Sequence, residues 1–414
     1  MHLSAMHLIS PFRALRPPPT RASEVIAPPY DVMSTAEARV MAQGKPHSFL
    51  HVSRPEIDLP EGSDPSASAA YAKARENLQT LREQGLLARD PRPCLYVYRL
   101  TQGDHSQTGL AAVASVAAYR DGRIKKHELT RPAKENDRVR HIEALDAQTG
   151  PVFLIHRGAD SISQQLAQHC AEPAQIEVLA EDGVNHQIWV IQDQAAVGAL
   201  CADYNALDAL YIADGHHRAA AAARVAEARP DDPGAQDFLA VTFPDDQTRI
   251  LAYNRLIRDL NGLTTGAFLK RLEQDFDLSA QPAPVTPEGP GIFGLYIEQH
   301  WYRLAPKPHL SERLAARDPA GRLDTSLLQD FLIQPILGID NPRTDERIDF
   351  VGGSRGIAGL TEPVDQGRMR LALALHPTSA SDLMAVSDAN ALMPPKSTWF
   401  EPKLADGLLS HLLS

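Results

Sequence analysis

Cysteine, surplus positive charge and long apolar runs are all scarce in this sequence. The 414 residues include three cysteines, Cys94, Cys170 and Cys201, and no CxxC pair, which argues against both a disulfide framework and a thiolate zinc site. Lysine and arginine number 41 against 52 aspartates and glutamates, a formal net charge of -11. This balance makes nucleic acid an unexpected partner, so any phosphate must be bound in a local basic pocket.

The apolar segments are too short for a membrane protein. None of them approaches the eighteen or so continuous apolar residues of a spanning helix. The N-terminal stretch up to Pro19 is too short and too interrupted in its apolar part to be a signal peptide. We therefore expect a cytoplasmic protein with no membrane partner, and no repeat or heptad indicates its oligomeric state.

The stretch with the most chemistry is YIADGHHRAAAAARV, residues 211–225. The apolar run before it predicts a short buried strand, Asp214-Gly215 a tight turn, and His216 the start of a helix that continues to about Arg229. A helix N-terminus offers backbone N–H groups without intrahelical partners and the positive end of the helix dipole.

Arg218 adds a planar fork of donors to this helix start, and such a fork can grip two phosphate oxygens. We predict that this turn holds an anion such as phosphate, with Arg218 gripping it. In the alternative interpretation Asp214 is only an N-cap and the histidines form an ordinary polar surface.

A proline-stiffened loop, IAPPYDVM at residues 26–33, presents Tyr30 and Asp31. An aspartate displayed on a rigid loop is a candidate base or metal ligand. The alternative is a simple strand exit, followed by the capping box of Ser34 and Glu37 that starts a helix.

A charged tract, KKHELTRPAKENDRVRH at residues 125–141, contains Glu128, Lys134 and Arg138. Its default interpretation is a solvated loop with a helix behind it. The zincin pattern fails because position 131 is arginine. Basic residues beside carboxylates suit a polyphosphate with Mg²⁺, whose ligands are oxygen atoms.

The C-terminal stretch ALMPPKSTWFEPKLADGL, residues 391–408, carries Lys396, Ser397 and Thr398 on a loop stiffened by two prolines. It lacks the GxxxxG of a Walker loop, and it could be only a turn before an aromatic anchor. Because no single loop holds enough groups for a metal and a polyphosphate, we predict that all three stretches converge on DGHHR.

The order of strand-like and helix-like segments predicts an α/β (α+β) fold with mixed sheets around the central strand–turn–helix unit. We expect three regions. They are an N-terminal α/β region (1–200), a phosphate-binding core (201–262) and a C-terminal α/β region (263–414).

Five ordered blocks, IAPPYDV, HELT with KENDR, YIADGHHR, YNRLI and MPPKSTWFEPKLADGL, resemble the bacterial family known as domain of unknown function 1015. DGHHR alone is similar to the phosphate-binding motif of the ParB/sulfiredoxin-like superfamily. Within that superfamily, its residues resemble those of the motif in free L-serine kinases. The resemblance implies that Gly215, His216, His217 and Arg218 contact nucleotide phosphates. It also implies that Asp214 acts near the reacting groups or the metal.

These observations lead to one main hypothesis. The protein is expected to transfer a phosphoryl group between pyrophosphate or a nucleotide and a small hydroxyl metabolite such as L-serine. Asp31, Glu128 or Asp214 would accept the hydroxyl proton; Glu128 and Asp214 would hold Mg²⁺. The further phosphate ligands would be Lys134, Arg138, Lys396, Ser397 and Thr398.

Two rival functions stay open at this point. One is a ParB-like protein that switches on nucleotide binding, although no helix-turn-helix follows the motif. The other is a metal-dependent phosphatase that uses the same histidines and carboxylates.

Overall fold

The chain divides after Thr248 and again after Glu401. Unit 1 comprises the residues up to Thr248 together with Pro402–Ser414, and unit 2 comprises Arg249–Glu401. The computed structural model describes residues 7–414, so the first six residues of the N-terminal stretch discussed above lie outside it. The three-region division at residues 200 and 262 stays a prediction.

The helices of unit 1 are short to medium in length. They are α1 (Ala22–Val25), α2 (Thr35–Ala42), α3 (Leu50–Ser53), α4 (Ser68–Glu83), α5 (Val116–Asp121), α6 (Pro132–Leu145), α7 (Asp160–His169), α8 (Gln194–Asn205) and α9 (His216–Ala228). Those of unit 2 are α10 (Thr265–Leu272), α11 (Pro308–Ala315), α12 (Asp324–Leu328), α13 (Gln334–Leu337), α14 (Ala358–Asp365) and α15 (Ala380–Asp388). Within residues 7–414 no helix combines the length and apolar character needed to cross a lipid bilayer.

The strands up to Thr248 are β1 (Ile9–Ser10), β2 (Ala14–Arg16), β3 (Ala88–Arg89), β4 (Leu95–Gln102), β5 (His105–Ser115), β6 (Ile124–Lys125), β7 (Ala147–Gln148), β8 (Val152–His156), β9 (Ile176–Leu179), β10 (Asn185–Ile191), β11 (Leu210–Asp214) and β12 (Asp237–Pro244). Unit 2 contains β13 (Arg249–Leu251), β14 (Tyr253–Ile257), β15 (Phe276–Gln281), β16 (Phe293–Ile297), β17 (His300–Pro306), β18 (Ile348–Gly352), β19 (Leu371–Ala374) and β20 (Trp399–Glu401). The last strand, β21 (Ser410–Leu412), returns to unit 1.

The main sheet of unit 1 is mixed, in the order β6-β11-β8-β12-β5-β4-β10-β9, with β1 paired to β5. β11 pairs with β6 and β12 with β8 in parallel, whereas β11 and β8 are antiparallel. A smaller sheet has the order β3-β2-β21-β7. Mixed sheets with helices confirm the predicted α/β class. β11 and β12 flank α9 in sequence, but β8 lies between them and they run in opposite directions.

The alanine-rich helix α9 begins directly after β11 and packs into the core of unit 1. Its five consecutive alanines, residues 219–223, are all buried. Because alanine projects only a methyl group, α9 approaches α6 and the strands behind it closely. The start of α9 is therefore held on a rigid base.

Unit 2 contains an antiparallel sheet in the order β15-β17-β16-β19-β14-β18 and the separate pair β13-β20. Phe268, Phe276 and Phe293 fill its core together with aliphatic residues. A π-helical turn, Gln329–Ile333, joins α12 to α13 and makes one continuous helical stretch. Strand β5 ends at Ser115, and helix α5 follows it directly.

Candidate anion-binding site

The turn between β11 and α9 is made by a glycine in the left-handed region. Gly215 is the N-cap of α9, with φ 98°, a conformation that L residues with a side chain rarely adopt. Within residues 7–414 no side chain caps this helix start, so the alternative in which Asp214 is the N-cap is wrong. The N–H groups of Arg218 and Ala219 donate to the Gly215 carbonyl at 2.9 and 3.0 Å. The two N–H groups ahead of them, those of His216 and His217, are therefore the ones that this helix start offers to a ligand.

Arg218 folds back over this turn. A Cβ atom at Gly215 would lie 3.0 Å from the Arg218 Nε and 3.1 Å from its Cζ, which is a second reason for glycine here. The Nη1 of Arg218 donates a hydrogen bond to the carbonyl oxygen of Pro151. The guanidinium is thereby fixed in one orientation.

The other edge of the Arg218 guanidinium, formed by Nε and Nη2, lies against Gly215 and has no hydrogen-bond partner within residues 7–414. Among the described residues, its buried Nε has no hydrogen-bond partner. Its Nη2 lies 3.7 Å from the Asp214 Oδ2 and 3.8 Å from the Asp31 Oδ2, both beyond hydrogen-bond length. Nε and Nη2 form one of the parallel donor pairs with which arginine binds two oxygens of a phosphate or carboxylate.

Carboxylates surround the Arg218 side chain, which is only 10% exposed. Burial acts to lower the pKa of Arg218, but Asp31, Asp214 and Asp406 outweigh burial and raise it. The arginine is therefore charged and held among negative groups without being neutralised by a direct hydrogen bond to any of them.

Lys403 binds the carboxylate of Asp214, with 3.1 Å between its Nζ and the Oδ2. Burial acts to raise the pKa of Asp214, but Lys403 and Arg218 hold it well below its usual range. Asp214 is thus ionised. Lys403 lies in the C-terminal stretch that the sequence singled out, but it was not among the predicted site residues.

Asp406 is the second site residue that the sequence interpretation missed. It is 2% exposed, and its Oδ2 has no hydrogen-bond partner within residues 7–414. Burial raises its pKa to about 7, against the attraction of Arg218. One signal was present: Ala-Asp-Gly occurs at 213–215 and again at 405–407.

The proline-stiffened loop, residues 26–33, lies beside the DGHHR turn, where the sequence predicts it. Tyr30 and Asp31 lie in a short 3-10 turn, and Ala27 exchanges two backbone hydrogen bonds with Asp406, of 3.1 and 2.9 Å. The guanidinium of Arg138 lies 4.0 Å from the centre of the Tyr30 ring. These contacts place Asp31 beside Arg218.

Arg138 clamps this loop. Its Nε and Nη2 both bind the Asp137 Oδ2, at 3.0 and 2.6 Å. Its donor pair is thus occupied by a carboxylate, in contrast to that of Arg218. Its predicted contact with phosphate stays a prediction.

The charged tract also reaches the turn. The backbone N–H of His127 donates to the His216 Nε2 at 3.4 Å, and that of Arg131 to the His217 Nε2 at 2.9 Å. Burial, the largest cause, lowers the pKa of both His216 and His217. Each ring is therefore neutral, accepts with Nε2 and carries its proton on Nδ1.

Glu128 lies in the same segment, between the two backbone donors, and is partly buried. Lys134 is exposed, near the start of α6. Its positive charge acts with burial to lower the pKa of His217. The roles of Glu128 and Lys134 toward metal and phosphate stay predictions.

Lys396, Ser397 and Thr398 belong to unit 2. The Lys396 side chain is exposed and its φ is 60°. The buried Ser397 hydroxyl lies 3.0 Å from the Thr325 Oγ1 and donates to the carbonyl of Pro394 at 2.8 Å. Their predicted contact with phosphate also stays a prediction.

A cavity of about 150 Å³ adjoins Lys403 in unit 1. Its walls include Ile26, Pro28, Met41 and His186. No group of three or more histidine, cysteine, aspartate or glutamate side chains within residues 7–414 is placed to hold a metal ion.

Solved structures similar to this chain include three that are 11–13% identical to it. A free serine kinase mutant in complex with ADP is 13% identical, with a TM-score of 0.36, over 72% of this chain and 89% of that one. SbnI with a C-terminal truncation, from Staphylococcus aureus, is 11% identical (TM-score 0.39; 72% and 85%). A conserved hypothetical protein from Pyrococcus furiosus is 12% identical (TM-score 0.35; 75% and 97%). These likenesses are too distant to assign an activity.

Curated protein sequences include no significant match to this chain. The family model described as "Protein of unknown function (DUF1015)" matches residues 9–326. The C-terminal stretch with Lys396 and Lys403 lies beyond the matched range. Because the match covers more than half of the sequence, this chain belongs to the DUF1015 family.

Proposed function

We propose that the turn at Gly215 binds a phosphate group and that the protein transfers a phosphoryl group between pyrophosphate or a nucleotide and a small hydroxyl metabolite. The observation that carries this proposal is the Nε–Nη2 edge of Arg218, which has no hydrogen-bond partner within residues 7–414, beside the uncapped start of α9. A phosphate there would satisfy the buried Nε and the free N–H groups together.

The surrounding carboxylates make this an unusual phosphate site. They suit a site that transfers a phosphoryl group better than one that only binds phosphate. Asp214 and Asp31 repel a phosphate, whereas Lys403 offsets the charge of Asp214 at 3.1 Å. Phosphoryl transfer depends mainly on positioning and on charge stabilisation. A fixed guanidinium with nearby carboxylates supplies both the donor pair and candidate proton acceptors.

Asp31 is our choice for the group that accepts the proton of the substrate hydroxyl. Asp214 is bound by Lys403 at 3.1 Å, and its pKa is held well below the usual range of a carboxyl group, so it is a weak base. Asp31 lies on a loop, is 30% exposed and faces the same Arg218 nitrogen. A hydroxyl group between Asp31 and the phosphate would meet both.

Mg²⁺ is the metal that the donor set suits. Asp214 and Glu128 would hold it through oxygen atoms, and Mg²⁺ is usually held by one or two carboxylates plus substrate phosphates. When bound, the ion would neutralise charge that develops on the transferred group. The same reasoning predicts that activity survives removal of zinc.

The cavity beside Lys403 offers room for the organic part of a ligand. Its volume of about 150 Å³ is close to that of an engineered cavity that binds benzene. A single ring or a small metabolite such as L-serine would fit. Lys403 lines this cavity and also binds Asp214, so a ligand there lies next to the proposed reaction centre.

Phosphorus NMR on the purified chain tests this function. Pyrophosphate, ADP or ATP is mixed with L-serine and Mg²⁺, and the appearance of a phosphomonoester is followed over time. We expect acceptor-dependent product with the wild type and at least a hundredfold slower product formation with Asp31→Asn, since a positioned base contributes on the order of 100-fold or more.

Asp104→Asn is the matched control, because Asp104 is an exposed aspartate in the turn between β4 and β5 and makes no contact with the turn at Gly215. It should leave the rate unchanged. Release of inorganic phosphate to water at the same rate with and without acceptor would instead establish the phosphatase. Nucleotide binding without any turnover would favour the ParB-like switch.

A further inference from the structure

Unit 2 contains a buried arginine without a counter-ion. Arg255, on β14, is 3% exposed. It donates from Nη1 to the Tyr253 carbonyl at 2.5 Å and from Nη2 to the Lys396 carbonyl at 3.0 Å. Among the described residues of unit 2, no carboxylate pairs with it, and burial lowers its pKa to about 9. Buried charges are normally paired, so this one needs an explanation.

The turn that Arg255 holds is itself under constraint. Lys396 adopts a φ of 60°, a left-handed conformation that is unfavourable for a residue with a side chain. The Ser397 hydroxyl binds Thr325 and the Pro394 carbonyl, and the Thr378 hydroxyl donates to the Ser397 carbonyl at 2.9 Å. A conformation that costs energy persists only where its surroundings fix it, and such positions concentrate at functional sites.

The two cations rest on aromatic rings. The Lys396 Nζ lies 5.3 Å from the centre of the Tyr253 ring, and the Arg255 Cζ lies 4.7 Å from that of Phe350. Ring faces hold a cation in place, but they do not remove its charge. An exposed ammonium is thus displayed on a rigid turn whose backbone is bound by a second, buried positive charge.

We propose that unit 2 contains a second oxyanion site, in which the Lys396 ammonium contacts a phosphate group and Arg255 positions the turn and adds positive potential. The ligand class is a phosphate oxyanion, free or carried by a nucleotide. An anion at this turn would supply the negative charge that Arg255 lacks. This inference stands apart from the phosphate site at Gly215, because it rests on different residues.

Titration calorimetry at low salt tests the proposal on the full chain. Arg218→Gln is used as the background, so that the site at Gly215 does not contribute. Pyrophosphate and ADP are titrated separately. We expect saturable binding in this background, at least tenfold weaker after Lys396→Gln and largely preserved after Lys396→Arg, which keeps the charge.

Arg255→Met tests the positioning role, with circular dichroism to confirm folding. In the Arg218→Gln background it should weaken binding at least tenfold, and it should add little when Lys396→Gln is already present, because both changes disable one site. Should Arg255→Met fail to fold, Arg255→Lys replaces it, since lysine keeps the charge and loses the fork.

Each calorimetric result either supports or overturns the second oxyanion site. Binding of either ligand that depends on Lys396 supports the proposal, and the better ligand identifies the source of the phosphate. No binding in the Arg218→Gln background, or binding that Lys396→Gln leaves unchanged, overturns it. If the wild type also binds no phosphate ligand, the function proposed for unit 1 fails as well, and the single Arg218→Gln variant distinguishes the two failures.

Discussion

The molecule buries one notable arginine in each unit, and the two have opposite surroundings. Arg218 is 10% exposed and lies among Asp31, Asp214 and Asp406, which raise its pKa. Arg255 is 3% exposed and meets only carbonyl oxygens and rings, and its pKa falls to about 9. Burial acts in the same direction on both, so the carboxylates account for the difference.

This contrast separates the effect of burial on an arginine from the effect of its charged and hydrogen-bonding partners. Around Arg218 the carboxylates stabilise the charge, while geometry leaves its Nε–Nη2 edge without a hydrogen-bond partner among the described residues. Around Arg255 the hydrogen bonds are made but the charge is uncompensated. Both arginines donate to backbone carbonyls, but only Arg218 is also stabilised by nearby carboxylates.

The largest expected difference in the free energy of unfolding is between the two variants in which one arginine is replaced by methionine. Arg218→Met leaves the carboxylates without their counter-ion and should lower the free energy of unfolding by about 3 kcal/mol, less than for a fully buried pair because Asp31 and Asp214 are 30% and 31% exposed. Arg255→Met should change it by less than about 1.5 kcal/mol, since two lost hydrogen bonds are offset by removal of an unpaired charge. Urea unfolding at pH 7 measures both.

Equal losses for the two methionine variants would break the comparison. They would mean that hydrogen bonds, and not carboxylates, dominate around both side chains. A control is Arg303→Met, which removes an exposed pair with Glu288 and should cost less than about 1 kcal/mol.

The second expected effect is a pH dependence of the free energy of unfolding that comes from Asp406, beside Arg218, and not from Arg255. The pKa of Asp406 is raised to about 7, so the folded state keeps this proton to higher pH than the unfolded state does. Its contribution to stability is present at low pH and is lost as pH rises toward 8, by roughly 2 kcal/mol between pH 5 and 8. The free energy of unfolding of wild type should fall by that much more than that of Asp406→Asn.

Arg255→Met provides the comparison for this measurement. With a pKa of about 9, Arg255 stays charged from pH 5 to 8, so the difference between Arg255→Met and wild type should be flat over that range. A flat difference for Asp406→Asn as well would show that the carboxyl is ionised throughout, and that Arg218 neutralises it fully.

The third expected effect is a difference in sign between substitutions at Gly215 and Lys396, which both have a left-handed backbone conformation. Gly215→Ala should cost about 1–2 kcal/mol through its φ of 98°, and should also displace the Arg218 Nε that lies 3.0 Å from the added Cβ. Lys396→Gly relieves a φ of 60° and should stabilise by up to about 1 kcal/mol. Thermal unfolding of both variants gives the signs; a stable Gly215→Ala would show that the turn tolerates a side chain.

Sequence reasoning succeeded where the determinants are local. The DGHHR turn and the capping box of Ser34 and Glu37 each depend on residues a few positions apart. The resemblance of whole blocks to a family was confirmed as well. Hydrophobic periodicity and turn residues suffice for such elements.

Long-range contacts were the part that could not be derived. Lys403 is 189 positions from Asp214, and β8 enters the sheet between β11 and β12. No local pattern specifies such partners. Asp406 was missed because its importance comes from burial beside Arg218, and an Ala-Asp-Gly sequence elsewhere would be an ordinary turn.

The central claim is that the Nε–Nη2 donor pair of Arg218 binds phosphate, and its direct test is Arg218→Lys. Lysine keeps the charge among the carboxylates but loses the two parallel donors. We predict that calorimetric titration with pyrophosphate or ADP in the presence of Mg²⁺ shows at least tenfold weaker binding, about 1.4 kcal/mol, with little change in unfolding. Carrying Lys396→Gln in both proteins removes the proposed second site from the measurement. Equal affinity for both proteins would contradict the claim.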